Sequence, residues 1–532
     1  MRRTSVIASA VFLILACVPP AHARPHARTA AADQLGKIDF PTSCSSAAQP
    51  IIEKAVLFLH SFQYQQAAST FADAAGQDPS CAMADWGQAM SLYHQLWDFP
   101  DGDTLAKGRA FVASAQKQSS KITPREQAYV VAAAAFYDDA KLTHGARVAA
   151  YTAAMEKLHA SFPDDVDGAA FYALSLVSLA DYQDQLPNLK KAIAILQPLF
   201  KQYPDDPGLA HYLIHASDVP QLAPEGLAAA RRYAQIAPDS SHAIHMPSHI
   251  FTRLGLWQES IDSNIAAAAA AAKATEAHQA DPSYEFHAMS FLSYSYLQSG
   301  QEAKARQVYA DLKTVPGADA HEIAAREEWL SSQDVIELHR WKEAANLTIP
   351  DLAIGSLGDV YFARTIGAAR SGDVKEARAD LKKLREANSA GKHQMKNMGY
   401  SAQSGPSIVQ QAAEAWVDFA EGKKDAALKL MRTAADRDDA AGVDSTSMPA
   451  REMLGDMLLE AKSPADALEA YRAALKESPN RFDSLWGAAQ AATAAGDSSA
   501  AKDYYSQLIQ ISGSGADRPE LQEARGYLAQ NK

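Results

Sequence analysis

MLGDMLLEAKSPADALEAYRAALKESP, residues 453–479, is the stretch that decides the fold. Leu454, Gly455 and Leu458 mark one helical face, and Ala467, Tyr471 and Ala474 mark a second. Spacings of three and four bring side chains onto one side of an α-helix. Small residues let two such helices approach closely, an aromatic fills the gap between successive pairs, and Pro479 ends the second helix because it has no N–H to donate. Leu485, Ala492, Gly496, Ala501 and Tyr505 repeat the pattern, with Ala467 to Ala501 and Tyr471 to Tyr505 both 34 residues.

At these positions the chain resembles tetratricopeptide-repeat proteins, whose unit is a helix–turn–helix of 34 residues. The resemblance holds at almost every position over 448–515 and more loosely over 50–440. Working toward the N-terminus, Gly422, Ala427, Met431 and Ala434 form one second helix, and Tyr361, Ala368, Gly372, Ala377, Leu381 and Leu384 form a whole unit. Ala67, Phe71, Ala74 and Pro79 close the first unit, which begins near Pro50. The count is about ten degenerate helix pairs. The resemblance implies an all-α superhelical solenoid of antiparallel helix pairs, acting as a binding module that holds a protein or peptide partner in its concave groove. Four segments follow: a leader over 1–23, a polar lead-in over 24–48, a degenerate array over 49–350 and a C-terminal array over 351–532. The last boundary is set where LTIPDLAIGSLG interrupts the periodicity near Pro350.

Composition agrees with a folded helical chain. Of 532 residues, 47% are hydrophobic and 21% charged, and the net charge is −13. An acidic balance argues against nucleic acid and against an anionic membrane surface as partners. Arg2 and Arg3, the apolar run Val6–Val18 and the small-x-small triplet Ala21-His22-Ala23 read as an export signal. The run is too short to span a bilayer stably, and no later segment of the mature chain does so. A soluble exported, periplasmic protein is the expectation. Ile14-Leu15-Ala16-Cys17 leaves a second reading open, a lipoprotein anchored through Cys17. Cys44 and Cys81 remain as an even pair in an oxidising compartment, either a disulfide or two part-buried thiols.

The same interval of 34 residues recurs in the middle of the chain. In GLAHYLIHASD and HAIHMPSHIFTRLGLW, which open and close the segment from Gly208 to Trp257, His211 and His215 are matched by His245 and His249. In the resembled family, positions 2, 5 and 9 of the first helix of a unit face the groove. His211 and His215 fall at positions 5 and 9, His242, His245 and His249 at 2, 5 and 9, and His287 at position 2 of a later unit. The expectation is six imidazoles on one inner wall. Imidazole is a good ligand for zinc, copper, nickel or iron, and H-x3-H on a helix is a two-ligand chelating unit. Asp218, Glu259 and Glu285 are carboxylate partners to such a site, and His60 and His94 are more distant members. Three readings stay open: a hydrogen-bonded packing cluster, a polar ligand-binding wall, and a metal site holding a divalent transition ion. Pro247 lies inside the second histidine helix, and a kink there would aim His245 and His249 apart. Such a cluster is expected to titrate at about pH 6–7. No G-x-S-x-G, P-loop, H-E-x-x-H or C-x-x-C pattern occurs, His321-Glu322 lacks a second histidine, and enzymatic activity is left open. Trp86, Trp97, Trp257, Trp329 and Trp341 read as packing residues.

Overall fold

The computed structural model describes residues 34–97, 99–397, 405–443 and 446–531. The export signal over 1–23, Cys17 and the lead-in up to residue 33 lie outside the described residues. Among the described residues every regular element is a helix. Residues 34–48 have no regular structure, and the first pair is Gln49–His60 with Tyr64–Gln77. Ala67, Phe71 and Ala74 of that second helix are fully buried, as their small-aromatic-small spacing requires. Cys44 and Cys81 form a disulfide that ties the lead-in to the start of the next helix, their Cα atoms 4.8 Å apart.

Successive helices pack as antiparallel hairpins from end to end. The long stretch between Pro100 and Pro163 is filled by Gly102–Lys117, Pro124–Tyr137 and His144–Ser161, each started by a capping side chain, Asp101, Thr123 or Thr143. In the C-terminal array Tyr471 does what the pattern asks of it. Its ring sits where a Cβ on Gly487 would come within 2.3 Å of Cζ, and its hydroxyl donates to Asp456 Oδ1 at 2.6 Å. Apolar side chains gather in three clusters, one spanning Leu35 to Phe251, one Ile261 to Leu330 and one Val335 to Ala524. Leu347 and Leu352, on either side of Pro350, pack against the third.

In an ideal solenoid each repeat touches only its neighbours. Here the array also folds back on itself. Arg481, fully buried, donates to Glu452 Oε2 at 2.7 Å, to Glu337 Oε2 at 2.6 Å and to the Tyr294 hydroxyl at 2.7 Å. Nearby, Phe482 N donates to Gln298 Oε1 at 2.9 Å and Gly513 N to the Ser299 carbonyl at 2.9 Å. Gly255 passes so close to Pro479 that a Cβ there would sit 2.2 Å from the Pro479 carbonyl oxygen. These contacts set the C-terminal units against the segment that carries the histidines. A charge as deeply buried as Arg481 is tolerated only when paired, and two glutamates surround it.

Candidate metal centres

Capping fixes where the histidine helices begin. Asp206 accepts from Leu209 N at 3.1 Å and starts Pro207–Ser217, with Pro207 in the first turn where its missing N–H costs nothing. Ser240 accepts from Ala243 N at 3.2 Å and starts Ser241–His245. That helix breaks at Met246 and resumes as Pro247–Arg253. Met246 keeps helical angles, φ −51° and ψ −35°, so the break does not turn the next residues away. The kink expected to part His245 and His249 leaves their Nε2 atoms 3.1 Å apart.

The six imidazoles form two groups rather than one. His211, His215 and His242 offer ring nitrogens all within 4.8 Å of one another, and so do His245, His249 and His287. Each triad combines the i,i+4 pair of one unit with the second-position histidine of the next. Helix Ser241–His245 serves both, through His242 and His245, which lie three residues apart and share a face.

Hydrogen bonds set the tautomers. His211 Nδ1 lies 2.6 Å from the carbonyl of His60, which can only accept, so Nδ1 carries the proton and Nε2 bears a lone pair. That Nε2 is 3.0 Å from both His242 Nε2 and His215 Nε2. In the second triad His245 Nδ1 donates to Asn264 Oδ1 at 2.8 Å, and His249 Nδ1 donates to Asp218 Oδ2 at 2.8 Å. The Asn264 amide is oriented by its own donation to the Ser260 carbonyl at 2.8 Å. In their neutral forms His245 and His249 therefore face each other Nε2 to Nε2 with two lone pairs and no proton between them.

Burial sets the protonation. His211, His242 and His245 are 0%, 5% and 3% exposed, so the expected groove wall is for these three a covered stripe. His287 alone is exposed at its surface, although protein crowds its other side. Burial pushes the His211 pKa down to about 3, against the His60 carbonyl bond, which favours the charged form. It lowers His287 to about 3 as well, with His249 and Arg326 adding to the effect. His215, His242 and His245 are pushed down by burial first and by neighbouring imidazoles second. The expected titration at pH 6–7 does not hold for these five rings, because desolvation opposes charging them. The neutral ring that burial favours is the form that binds metal. Burial pushes the Asp218 carboxyl up, yet Arg253 and His249 outweigh it and hold the group at about 2.

The surroundings are aromatic. The Phe62 ring meets His211 edge-on at 4.4 Å and stacks on His215 at 5.5 Å and on His242 at 5.7 Å. Trp97, read from sequence as core packing, is 37% exposed, with its ring 6.0 Å from both His215 and His242. Phe291 flanks the second triad at 5.1, 4.6 and 5.2 Å from His245, His249 and His287. Other expected members stand elsewhere. The His60 ring is engaged by Asp167 at 2.8 Å and Tyr212 at 3.0 Å, and only its carbonyl serves the site. His94 stacks on Tyr64 at 4.1 Å, and Glu259 pairs with Arg231 on the surface. Glu285 belongs to neither triad. Asn264 was missed as a member, although a polar residue at the small, buried position of a second helix is a visible signal. A cavity of about 570 Å³ lies apart from the histidines, lined by Arg125, Asp165, Asp167 and Asp206. Its Asp165 and Asp167 are already committed, to Arg125 and to His60.

Stacked antiparallel hairpins carrying such a stripe define a helical-repeat protein. The family described as Tetratricopeptide repeat matches residues 412–482 and 452–516, so the C-terminal units carry that repeat. Proteins of this fold are interaction scaffolds. Comparison with curated proteins gives no match. Among solved structures, the chain is similar to a tetratricopeptide repeat protein from Parabacteroides merdae ATCC 43184. That match has 12% identity and a TM-score of 0.31, covering 54% of this chain and 97% of that one. It is also similar to the human IFIT1 dimer with PPP-AAAA, at 13% identity and a TM-score of 0.34, covering 86% of this chain and 89% of that one. No helix among the described residues is long and apolar enough to cross a membrane.

Proposed function

We propose that this protein is an exported repeat scaffold that holds transition-metal ions in two histidine triads. The observation that carries the reading is the pair of opposed lone pairs on His245 and His249, each imposed by a committed Nδ1 donor. A metal cation bound by both Nε2 atoms relieves that arrangement. A tetrahedral ion bound at about 2.0–2.1 Å sets its nitrogen ligands about 3.3 Å apart. The Nε2 of His211 lies 3.0 Å from those of His215 and His242, and the Nε2 of His245 lies 3.1 Å from that of His249, close to that value, while the remaining pairs of ring nitrogens lie within 4.8 Å. Three imidazoles with no thiolate suit zinc or copper. Asn264, Asp218 and the His60 carbonyl supply the outer partners that orient ligating histidines.

A second reading places a protein or peptide partner on the same wall, favoured by the exposed Trp97 ring beside His215 and His242. The two separate cleanly. Elemental analysis of the purified full chain is expected to give two metal ions, falling to one in the H245A/H249A double variant. A chain with no stoichiometric metal, in either form and after incubation with zinc or copper, leaves only the partner-binding reading.

A further inference from the structure

The two triads share a ligand set but not their surroundings. The first is roofed by Phe62, and two of its three histidines are almost fully buried. The second has Phe291 along one flank and the exposed His287 on another. Its three protein ligands are imidazoles, which bring no negative charge to a bound ion. The carboxylate nearest in the network, Asp218, is spent: Oδ2 accepts from His249 Nδ1 and Oδ1 accepts from Arg253 Nε at 2.9 Å. A divalent ion there would keep its whole charge. Arg326 adds to it, with its guanidinium 5.8 Å from the ring of Phe286, the residue before His287 on helix Ser283–Gln298. Three protein ligands and an accessible fourth position are the arrangement of metal sites that bind an external molecule.

Resting on the metal reading, we infer that the centre at His245, His249 and His287 takes a small external monoanion with an oxygen or nitrogen donor at its open position. The centre at His211, His215 and His242 is the closed one. A dication with no anionic protein ligand, next to an arginine, attracts such a molecule more strongly than it does water. Small carboxylates are the natural class, and azide is a probe of the same charge.

The test uses the full chain loaded with cobalt(II) and titrated with sodium azide, read by the visible ligand-field bands and by elemental analysis. Two cobalt ions and a saturable azide response from one of them are expected. H287A should lose the response while keeping the ion at the first triad, and H242A should keep the response. R326Q should retain both ions and bind azide several-fold more weakly. A protein with two cobalt ions that ignores azide overturns the inference and leaves the metal reading standing. An azide response that survives in H287A overturns it in the same way. Absence of bound cobalt in the parent overturns the metal reading itself.

Discussion

The His249 ring is held between two partners, with Asp218 Oδ2 at 2.8 Å on Nδ1 and His245 Nε2 at 3.1 Å on Nε2. The carboxylate fixes a proton on Nδ1, and in the neutral ring that leaves a lone pair on Nε2. Asn264 does the same for His245 from a different helix. The chemistry of the triad depends on these outer partners as much as on the three rings.

Replacing Asn264 with Leu keeps the volume and removes the acceptor. His245 is then free to turn or to move its proton to Nε2. Metal affinity at the second triad should fall about 10–100-fold, the usual effect of losing an outer hydrogen bond. Competition with a chromophoric chelator measures it. Unchanged affinity with unchanged helix content would mean that Asn264 does not orient a ligand.

Trp97 reports on the first triad, which its ring adjoins. Its ring lies 6.0 Å from His215 and His242, close enough for bound copper(II) to quench its emission. Titrating the metal-free chain with copper(II) should remove a fluorescence component that is already missing in W97F. Equal quenching in both proteins would place the copper elsewhere.

Away from the triads, His144 stacks on Phe99 at 3.8 Å and is lowered to about 4, by burial first and by Arg147 second. In the unfolded chain the group titrates at about 6.5. Between those values the unfolded state holds more protons, so the contribution is complete above about 6.5 and is lost as pH falls toward 4. The loss is up to about 1.4 kcal/mol per pH unit. Buried carboxyls such as Asp334, raised by burial to about 7, act in the opposite sense, so the measurement must be a difference. The melting-temperature gap between parent and H144Q should shrink from pH 7 to pH 4.5, and a constant gap would remove His144 as the cause.

Arg481 joins Glu452 to Glu337 across 144 residues of chain, counted from Arg481 to Glu337. Arg481→Ala leaves two carboxylates buried without a counter-charge, which costs about 3–5 kcal/mol. Chemical denaturation should show that loss, with the C-terminal units releasing before the rest. A change within about 0.5 kcal/mol, as for a surface substitution, would show the pair to be dispensable.

The recurrence of Ala467 and Tyr471 at Ala501 and Tyr505 was enough to read helix hairpins, because helical contacts three and four apart are local. The same interval from His211 to His245 and from His215 to His249 put four of the six clustered histidines in view. The sequence by itself thus determined the array, the repeat register and the six histidines. Only the tertiary structure decided that they divide into two triads, that His60 contributes a carbonyl rather than a ring, and that Arg481 closes the array. Those facts depend on helices brought together from 151 residues apart, as for His60 and His211, and no periodicity along one helix encodes which distant acceptor fixes a proton.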